Sequence, residues 1–287
     1  MLGSRRMALT TSDHSRDSAG LTYVYPVISR RSHGVSIGVN LNTNNACNWR
    51  CVYCQVPDLT FGNAPETDLS RLDSELSEFL DQLVNGTWLE ENVPEDARTL
   101  RDIAFSGNGE PTSSPQFADA IDVAARAVLD AGLADTLDLV LITNGSLLHK
   151  EDVRRGVERL AAHGGVVWFK LDSATLEGQA FLNNAKAGLE RTRDNLVLSA
   201  ELCTTWLQTM MLAVDGEPPS EVEQEAYLEF LRSLVNDKVP VRGVLLYGLA
   251  RPSLQPEAPR LSALSADWLR GFARRVEETG LPTRVAP

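Results

Sequence analysis

Short apolar runs alternate with amphipathic stretches along most of this 287-residue chain. Six of the runs have strand length and many β-branched residues, and they begin at Val35, Leu100, Leu137, Val166, Thr204 and Val241. The clearest helical stretch follows the first run and aligns on one face Leu72, Leu76, Phe79, Leu80 and Leu83. A last helix is predicted at about residues 266–279. This alternation is typical of an α/β fold with a parallel sheet and outer helices.

Side chains alternate between the two faces of a strand, and several predicted strands have one polar face. Ser36 and Asn40 share that face in the first strand, and Lys170 and Asp172 share it in the fourth. Gln208 takes the same kind of position in the fifth strand. Because a closed barrel fills its interior with bulky branched side chains, we predict an open, partial (β/α)6 TIM-like barrel with a polar lumen.

Residues 1–33 are rich in Ser, Arg, Asp and Gly and are predicted to form a partly disordered N-terminal arm. Residues 34–287 are predicted to form the barrel core with its C-terminal helix. The N-terminus lacks a signal-peptide core, and no stretch has the roughly 18 apolar residues of a membrane span. We therefore expect a cytoplasmic protein without a membrane segment.

The formal net charge is −12, from 39 acidic and 27 basic residues. This balance argues against a surface that grips nucleic-acid phosphates. The densest basic run near the core is SRRSH, Ser29 to His33. It precedes the first strand and so leads into the amino-terminal end of the barrel, away from the carboxyl-terminal edge where barrel enzymes place their chemistry.

Three of the four cysteines, Cys47, Cys51 and Cys54, lie within the eight residues CNWRCVYC. On a helix their spacing would form one buried stripe, but neighbouring asparagines and Pro57 favour a loop. A reducing compartment argues against disulfides and favours metal or redox chemistry. Structural zinc would need a fourth ligand, and the candidates are Cys203, His14, His33, His149 and His163. A four-iron cluster on three thiolates would leave one iron open to a cofactor or substrate.

CNWRCVYC, with Tyr53 before its last cysteine, resembles the cysteine motif of the radical S-adenosylmethionine (SAM) enzymes. SGNGEP after the second strand is similar to the Gly-Gly-Glu motif of that family, with Asn108 inserted. In its combination of CNWRCVYC, SGNGEP, TNG and KLD, the chain is similar to iron–sulfur oxidoreductases related to the tRNA wybutosine-synthesising enzymes. The resemblance implies that Cys47, Cys51 and Cys54 hold a 4Fe–4S cluster. Its open iron would chelate SAM, which one electron cleaves to methionine and a 5′-deoxyadenosyl radical.

The resemblance also implies which residues contact the cofactor: Tyr53, Gly109, Glu110, Asn144, Lys170, Asp172 and Ser173. Gly109 would let the backbone approach the methionyl group, and Glu110 would pair with the ammonium group of SAM. Candidate substrate contacts are Asn40, Gln208 and Arg251. The alternatives are a simple turn at TNG, a structural ion pair between Lys170 and Asp172, and a solvated Arg251.

These features predict a radical enzyme that abstracts hydrogen from a small molecule, with an electron donor such as flavodoxin or ferredoxin. One alternative is a radical enzyme that modifies tRNA bases, and another is a zinc-binding or scaffold protein. Cys203 stands alone before the fifth strand and is interpreted as a core residue or free thiol. No Walker loop, Rossmann fingerprint or nucleophile elbow competes with this interpretation.

Overall fold

A computed structural model describes residues 9, 19–29, 34–185 and 188–287. The strands in this part of the chain are β1 (Val24–Ser29), β2 (Gly34–Val39), β3 (Ala46–Cys47), β4 (Thr60–Phe61), β5 (Leu100–Phe105), β6 (Asp138–Thr143), β7 (Val166–Lys170), β8 (Thr204–Met211), β9 (Ala213–Val214), β10 (Val241–Gly248), β11 (Leu261–Ser262) and β12 (Thr283–Ala286). The α-helices are α1 (Leu69–Val84), α2 (Trp88–Asn92), α3 (Phe117–Asp130), α4 (Glu151–Ala162), α5 (Leu176–Asn183), α6 (Leu189–Leu202), α7 (Glu221–Asn236) and α8 (Ala266–Glu277).

Eight strands form one sheet in the order β1-β2-β5-β6-β7-β8-β10-β12. All neighbours from β2 to β12 are parallel, whereas β1 is antiparallel to β2. The sheet curls into a half-barrel surrounded by helices. The six predicted strands are β2, β5, β6, β7, β8 and β10, so the predicted partial barrel is confirmed.

The hydrophobic core lies between the outer face of the sheet and the helices. Ile37 and Val39 of β2 are fully buried in the same cluster as Leu72 and Phe79 of α1. Helix α1 begins at the side chain of Asp68, which accepts a hydrogen bond from the Arg71 backbone and so caps the first turn. The opposite face of the sheet is left for the polar lumen.

Strand β1 lies in a region that the sequence analysis assigned to the N-terminal arm. The buried carboxylate of Glu75 on α1 accepts hydrogen bonds from the backbone amides of Thr22, at 2.9 Å, and Tyr23, at 2.7 Å. These bonds fix the chain as it enters β1. The rest of the predicted arm, apart from Leu9 and residues 19–23, lies outside the described residues, as do residues 30–33 of the basic run.

No helix in the described ranges combines the length and apolarity that a membrane crossing requires.

We predict that Glu75→Ala lowers the free energy of unfolding by about 2–4 kcal/mol, because buried backbone amides lose their acceptor. Glu75→Gln, which keeps one acceptor oxygen, should lower the free energy of unfolding by a smaller amount. The measurement is urea denaturation. The matched control is Glu78→Ala, at an exposed position on the same helix, which should change the free energy of unfolding by no more than about 0.5 kcal/mol. Equal losses for Glu75→Ala and Glu78→Ala would contradict this role of Glu75.

Candidate active site

The lumen of the half-barrel contains a cavity of about 300 Å³ at the carboxyl ends of the strands. Strand β2 leads to the cysteine loop, β5 to the turn at residues 106–110, and β6 to Asn144. All the predicted site residues line this cavity except Asn40, Asp172 and Ser173. The structure therefore brings together the motifs that the sequence places far apart.

The cysteine loop, residues 47–59, has little regular structure of its own, and two other segments hold its backbone. Two carbonyl groups in the last turn of α5 accept hydrogen bonds from backbone amides of the loop. Arg50 N donates to Asn183 O at 3.1 Å, and Val52 N donates to Leu182 O at 2.8 Å. These two bonds flank Cys51. The cysteine side chains are therefore fixed relative to α5.

Residues 253–257, here called the latch, hold the other side of the loop. Leu254 N donates to Cys54 O at 2.9 Å, and Ser253 Oγ donates to Val52 O at 2.6 Å. Arg50 makes two hydrogen bonds to the Glu257 carboxylate, at 2.7 and 2.8 Å. The guanidinium of Arg50 lowers the pKa of the Glu257 carboxyl, so this ion pair persists at neutral pH and is lost on acidification.

The three thiols are half-buried and face one cavity, a donor set that fits an iron–sulfur cluster held by thiolates. Burial raises the pKa of the Cys47 thiol to about 12 and that of Cys51 to about 11. A buried thiolate is costly unless a cation compensates it, and iron would supply that charge.

The structure places Cys203 away from this set. It immediately precedes β8, is buried, and its thiol contacts the carbonyl of Gly165 at 3.2 Å. It thus lies at the amino ends of the strands, opposite the cysteine loop, and the prediction of a core residue is confirmed. Within the described residues, no three His, Cys, Asp or Glu side chains lie close enough together to coordinate one shared metal ion. The three thiols would instead bind separate irons of one cluster. His14 and His33 lie outside those residues.

Glu110 is buried, and four donors surround its carboxylate. Thr112 and Thr143 each donate a hydroxyl to Oε1 at 2.6 Å, and Asn144 N donates to Oε2 at 2.7 Å. The Thr112 amide also donates to Oε1, at 3.2 Å. Burial raises the pKa of Glu110, and these hydrogen bonds oppose the rise. Glu110 therefore joins the turn after β5 to the end of β6.

A network of polar side chains surrounds Lys170 inside the lumen. Its ammonium donates to the hydroxyls of Tyr53, at 2.7 Å, and Tyr247, at 3.0 Å. It also lies 3.7 Å from Asp172, so the ion pair given as the structural alternative is present. Burial opposes the charged ammonium, but Asp172 and Tyr247 outweigh it and raise the pKa of Lys170. Lys170 is thus a cation at the cavity wall.

Asp172 has no exposed side-chain surface, and protein groups occupy both of its oxygens. Oδ2 accepts from Tyr53 OH and from Asn183 Nδ2, and Oδ1 accepts from Met210 N at 2.9 Å. Ser173 donates to Glu223 at 2.7 Å. Both residues line a second cavity of about 400 Å³ beside β7 and β8. Neither residue lines the main cavity, and their contact with the cofactor stays a prediction.

Asn40, a predicted substrate contact, is likewise absent from the lining of the main cavity. It is buried beside the cavity, and its Oδ1 accepts from the amides of Asn42, at 3.1 Å, and Asn108, at 3.0 Å. Gly107 packs against the same amide with φ +142°, a conformation that favours glycine. Asn40 thus shapes the turn at residues 106–110.

The family model described as the Radical SAM superfamily matches residues 41–228, more than half of the chain. This chain belongs to the radical SAM superfamily. Members of this superfamily are enzymes that use a 4Fe–4S cluster and S-adenosylmethionine. The matched range contains the cysteine loop and the turn after β5, whereas the latch lies beyond it.

The fold of this radical SAM enzyme is similar to those of two solved structures. A radical SAM methyltransferase from Sphaerobacter thermophilus has a TM-score of 0.59 and 16% identity, over 88% of this chain and 66% of that chain. A structure of TYW1 with a lysine–pyruvate adduct bound has a TM-score of 0.56 and 16% identity, over 86% of this chain and 74% of that chain. At this identity, the likeness extends to the fold alone.

A GTPase Obg from Brachyspira hyodysenteriae is 26% identical over 129 residues. That match covers 45% of this chain and 16% of the GTPase. Because the match covers so small a part of the GTPase, it assigns no GTPase activity to this radical SAM chain.

Sequence reasoning missed three polar residues of the site: Asn48, Asn183 and Tyr247. Asn48 Oδ1 accepts from Asn144 Nδ2 at 2.8 Å and so ties the cysteine loop to β6. Tyr247 faces the lumen at the end of β10. The alternation of side chains along that strand could have predicted this position. Asn183 lies on a helix, and no local pattern distinguishes it.

The packing of the protein itself also constrains Gly109, besides its predicted role toward SAM. A Cβ there would lie 2.1 Å from the carbonyl oxygen of Ala46, the residue before Cys47. We predict that Gly109→Val displaces the start of the cysteine loop. After anaerobic reconstitution it should bind less than half the iron of the parent protein, because a backbone carbonyl cannot swing aside as a side chain can.

The matched control is Gly271→Ala in α8, where a Cβ meets nothing within 4 Å and Ala is the better helix former. It should keep full iron content. A Gly109→Val variant with full iron content and weakened SAM binding would contradict this role and would support the predicted contact between Gly109 and the methionyl group.

Proposed function

We propose that Cys47, Cys51 and Cys54 ligate the 4Fe–4S cluster of this radical SAM enzyme and that SAM binds in the adjacent cavity. One observation carries the proposal: the three thiols, the turn at residues 106–110 and the cationic Lys170 all line one cavity. The cluster and SAM together supply a 5′-deoxyadenosyl radical that abstracts hydrogen from the substrate.

Several residues would hold SAM beside the cysteines. Gly109, Glu110 and Asn144 line the same cavity as Cys47. The ammonium of Lys170 is suited to a carboxylate, because a charge-assisted hydrogen bond is stronger than a neutral one. Tyr53 lines this cavity too. Asp172, whose oxygens are already occupied, positions Tyr53 and Lys170.

The substrate we propose is a small polar molecule in the lumen near Gln208. This residue is 1% exposed, and its Oε1 has no hydrogen-bond partner among the described residues. Because an unpaired buried acceptor is costly, a donor group on a ligand would stabilise it. Asn108 Oδ1, in the wall of the same cavity, is unpaired within that part of the chain too.

A small molecule fits the charge of the protein better than RNA does. The tRNA alternative requires several phosphate contacts by Lys or Arg, against a net charge of −12. The electron would come from a small donor protein such as flavodoxin or ferredoxin.

The proposal predicts that Cys47→Ala, Cys51→Ala and Cys54→Ala each abolish formation of 5′-deoxyadenosine by the reconstituted, dithionite-reduced enzyme. The parent protein should bind about four irons per chain, and each variant should lose most of that iron. Buried Cys203→Ala is the matched control and should keep both cluster and cleavage.

Loss of the cluster from Cys203→Ala would reveal a fourth protein ligand and leave no open iron. Tight zinc binding without SAM cleavage would favour the zinc-binding alternative.

A further inference from the structure

The last residue of α5, Asn183, reaches the cysteine loop with both its backbone and its side chain. Its carbonyl accepts from Arg50 N at 3.1 Å. Its side-chain Nδ2 donates to Asp172 Oδ2 at 2.6 Å and lies 3.4 Å from the sulfur of Cys51. A side-chain amide has two hydrogens, so Asn183 can serve both acceptors at once.

The side chain of Asn183 does more than end the helix. Asn is a weak helix former, and the next residue, Asn184, already supplies the left-handed terminus with φ 50°. The hydrogen bond from Arg50 N to the backbone carbonyl of residue 183 would form with any residue at this position. Asn183 is 1% exposed, so water does not compete with its amide for the sulfur.

The position of this amide matters because Asp172 and a Cys51 thiolate are both anions. Placed between them, the N–H groups stabilise negative charge on both sides. A reduced iron–sulfur cluster carries one more negative charge than the oxidised cluster, and hydrogen bonds to its sulfurs raise its reduction potential.

We propose that Asn183 is a positioning residue for the cluster: its amide bridges Asp172 and the Cys51 sulfur, orients that sulfur and raises the reduction potential of the cluster. This inference rests on the proposed ligation by Cys51. It links the lumen network of Lys170 and Tyr53 to the cluster through Asp172.

The test is an EPR-monitored redox titration of the anaerobically reconstituted full-length chain, with iron content measured on the same samples. Asn183→Leu removes both donors at similar volume, and Asn183→Ala removes them without adding bulk beside Asp172. The matched control is Asn92→Leu, which removes an amide hydrogen bond on α2.

Both Asn183 variants should keep the parent iron content and shift to a more negative midpoint potential. At a fixed solution potential the ratio of reduced to oxidised cluster should fall about tenfold, equivalent to about 59 mV for one electron. Asn92→Leu should leave the midpoint unchanged.

Full iron content with an unchanged midpoint in the Asn183 variants would overturn the inference. Loss of iron from both of them, but not from Asn92→Leu, would also overturn it, since Asn183 would then determine cluster assembly rather than potential. Failure of the parent protein to bind iron would instead refute the proposed ligation.

Discussion

Backbone hydrogen bonds from distant parts of the chain give the cysteine loop its shape. A buried loop must satisfy its amides and carbonyls from elsewhere, and here α5 and the latch do so from opposite sides. Val52 N bonds to Leu182 O, and Cys54 O accepts from Leu254 N. The latch lies beyond the range shared with the family, residues 41–228. The cysteine loop of this enzyme thus depends on a C-terminal segment outside the common core.

Buried carboxylates organise the rest of the site, because a buried charge must be surrounded by donors. Glu110 joins the turn after β5 to the end of β6. Asp172 joins β7 to Tyr53, to Asn183 and to β8. Each carboxylate therefore fixes the relative positions of several wall segments. Such preorganisation keeps the cavity in shape before any ligand enters.

The sequence was sufficient for six of the seven parallel strands of the main sheet, all except β12, because strand periodicity and helix amphipathicity are local signals. It also placed Gln208 and Lys170 correctly in the lumen, since alternation along a strand decides which face a side chain takes. It did not show that Asn40 and Asp172 bond to backbone amides, because a polar residue at a strand end can point to the cavity or to a neighbouring backbone amide. Only the fold decides between the two. The latch and Asn183 were missed because their partners in the cysteine loop lie more than a hundred residues away in the chain.

We propose above that SAM binds in the same cavity as the three thiols. The most direct measurement is the EPR spectrum of the reduced, reconstituted protein with and without SAM. SAM should change the spectrum of the cluster in the parent protein and in Cys203→Ala, because an iron without a protein ligand accepts the cofactor. Identical spectra at saturating SAM would contradict it.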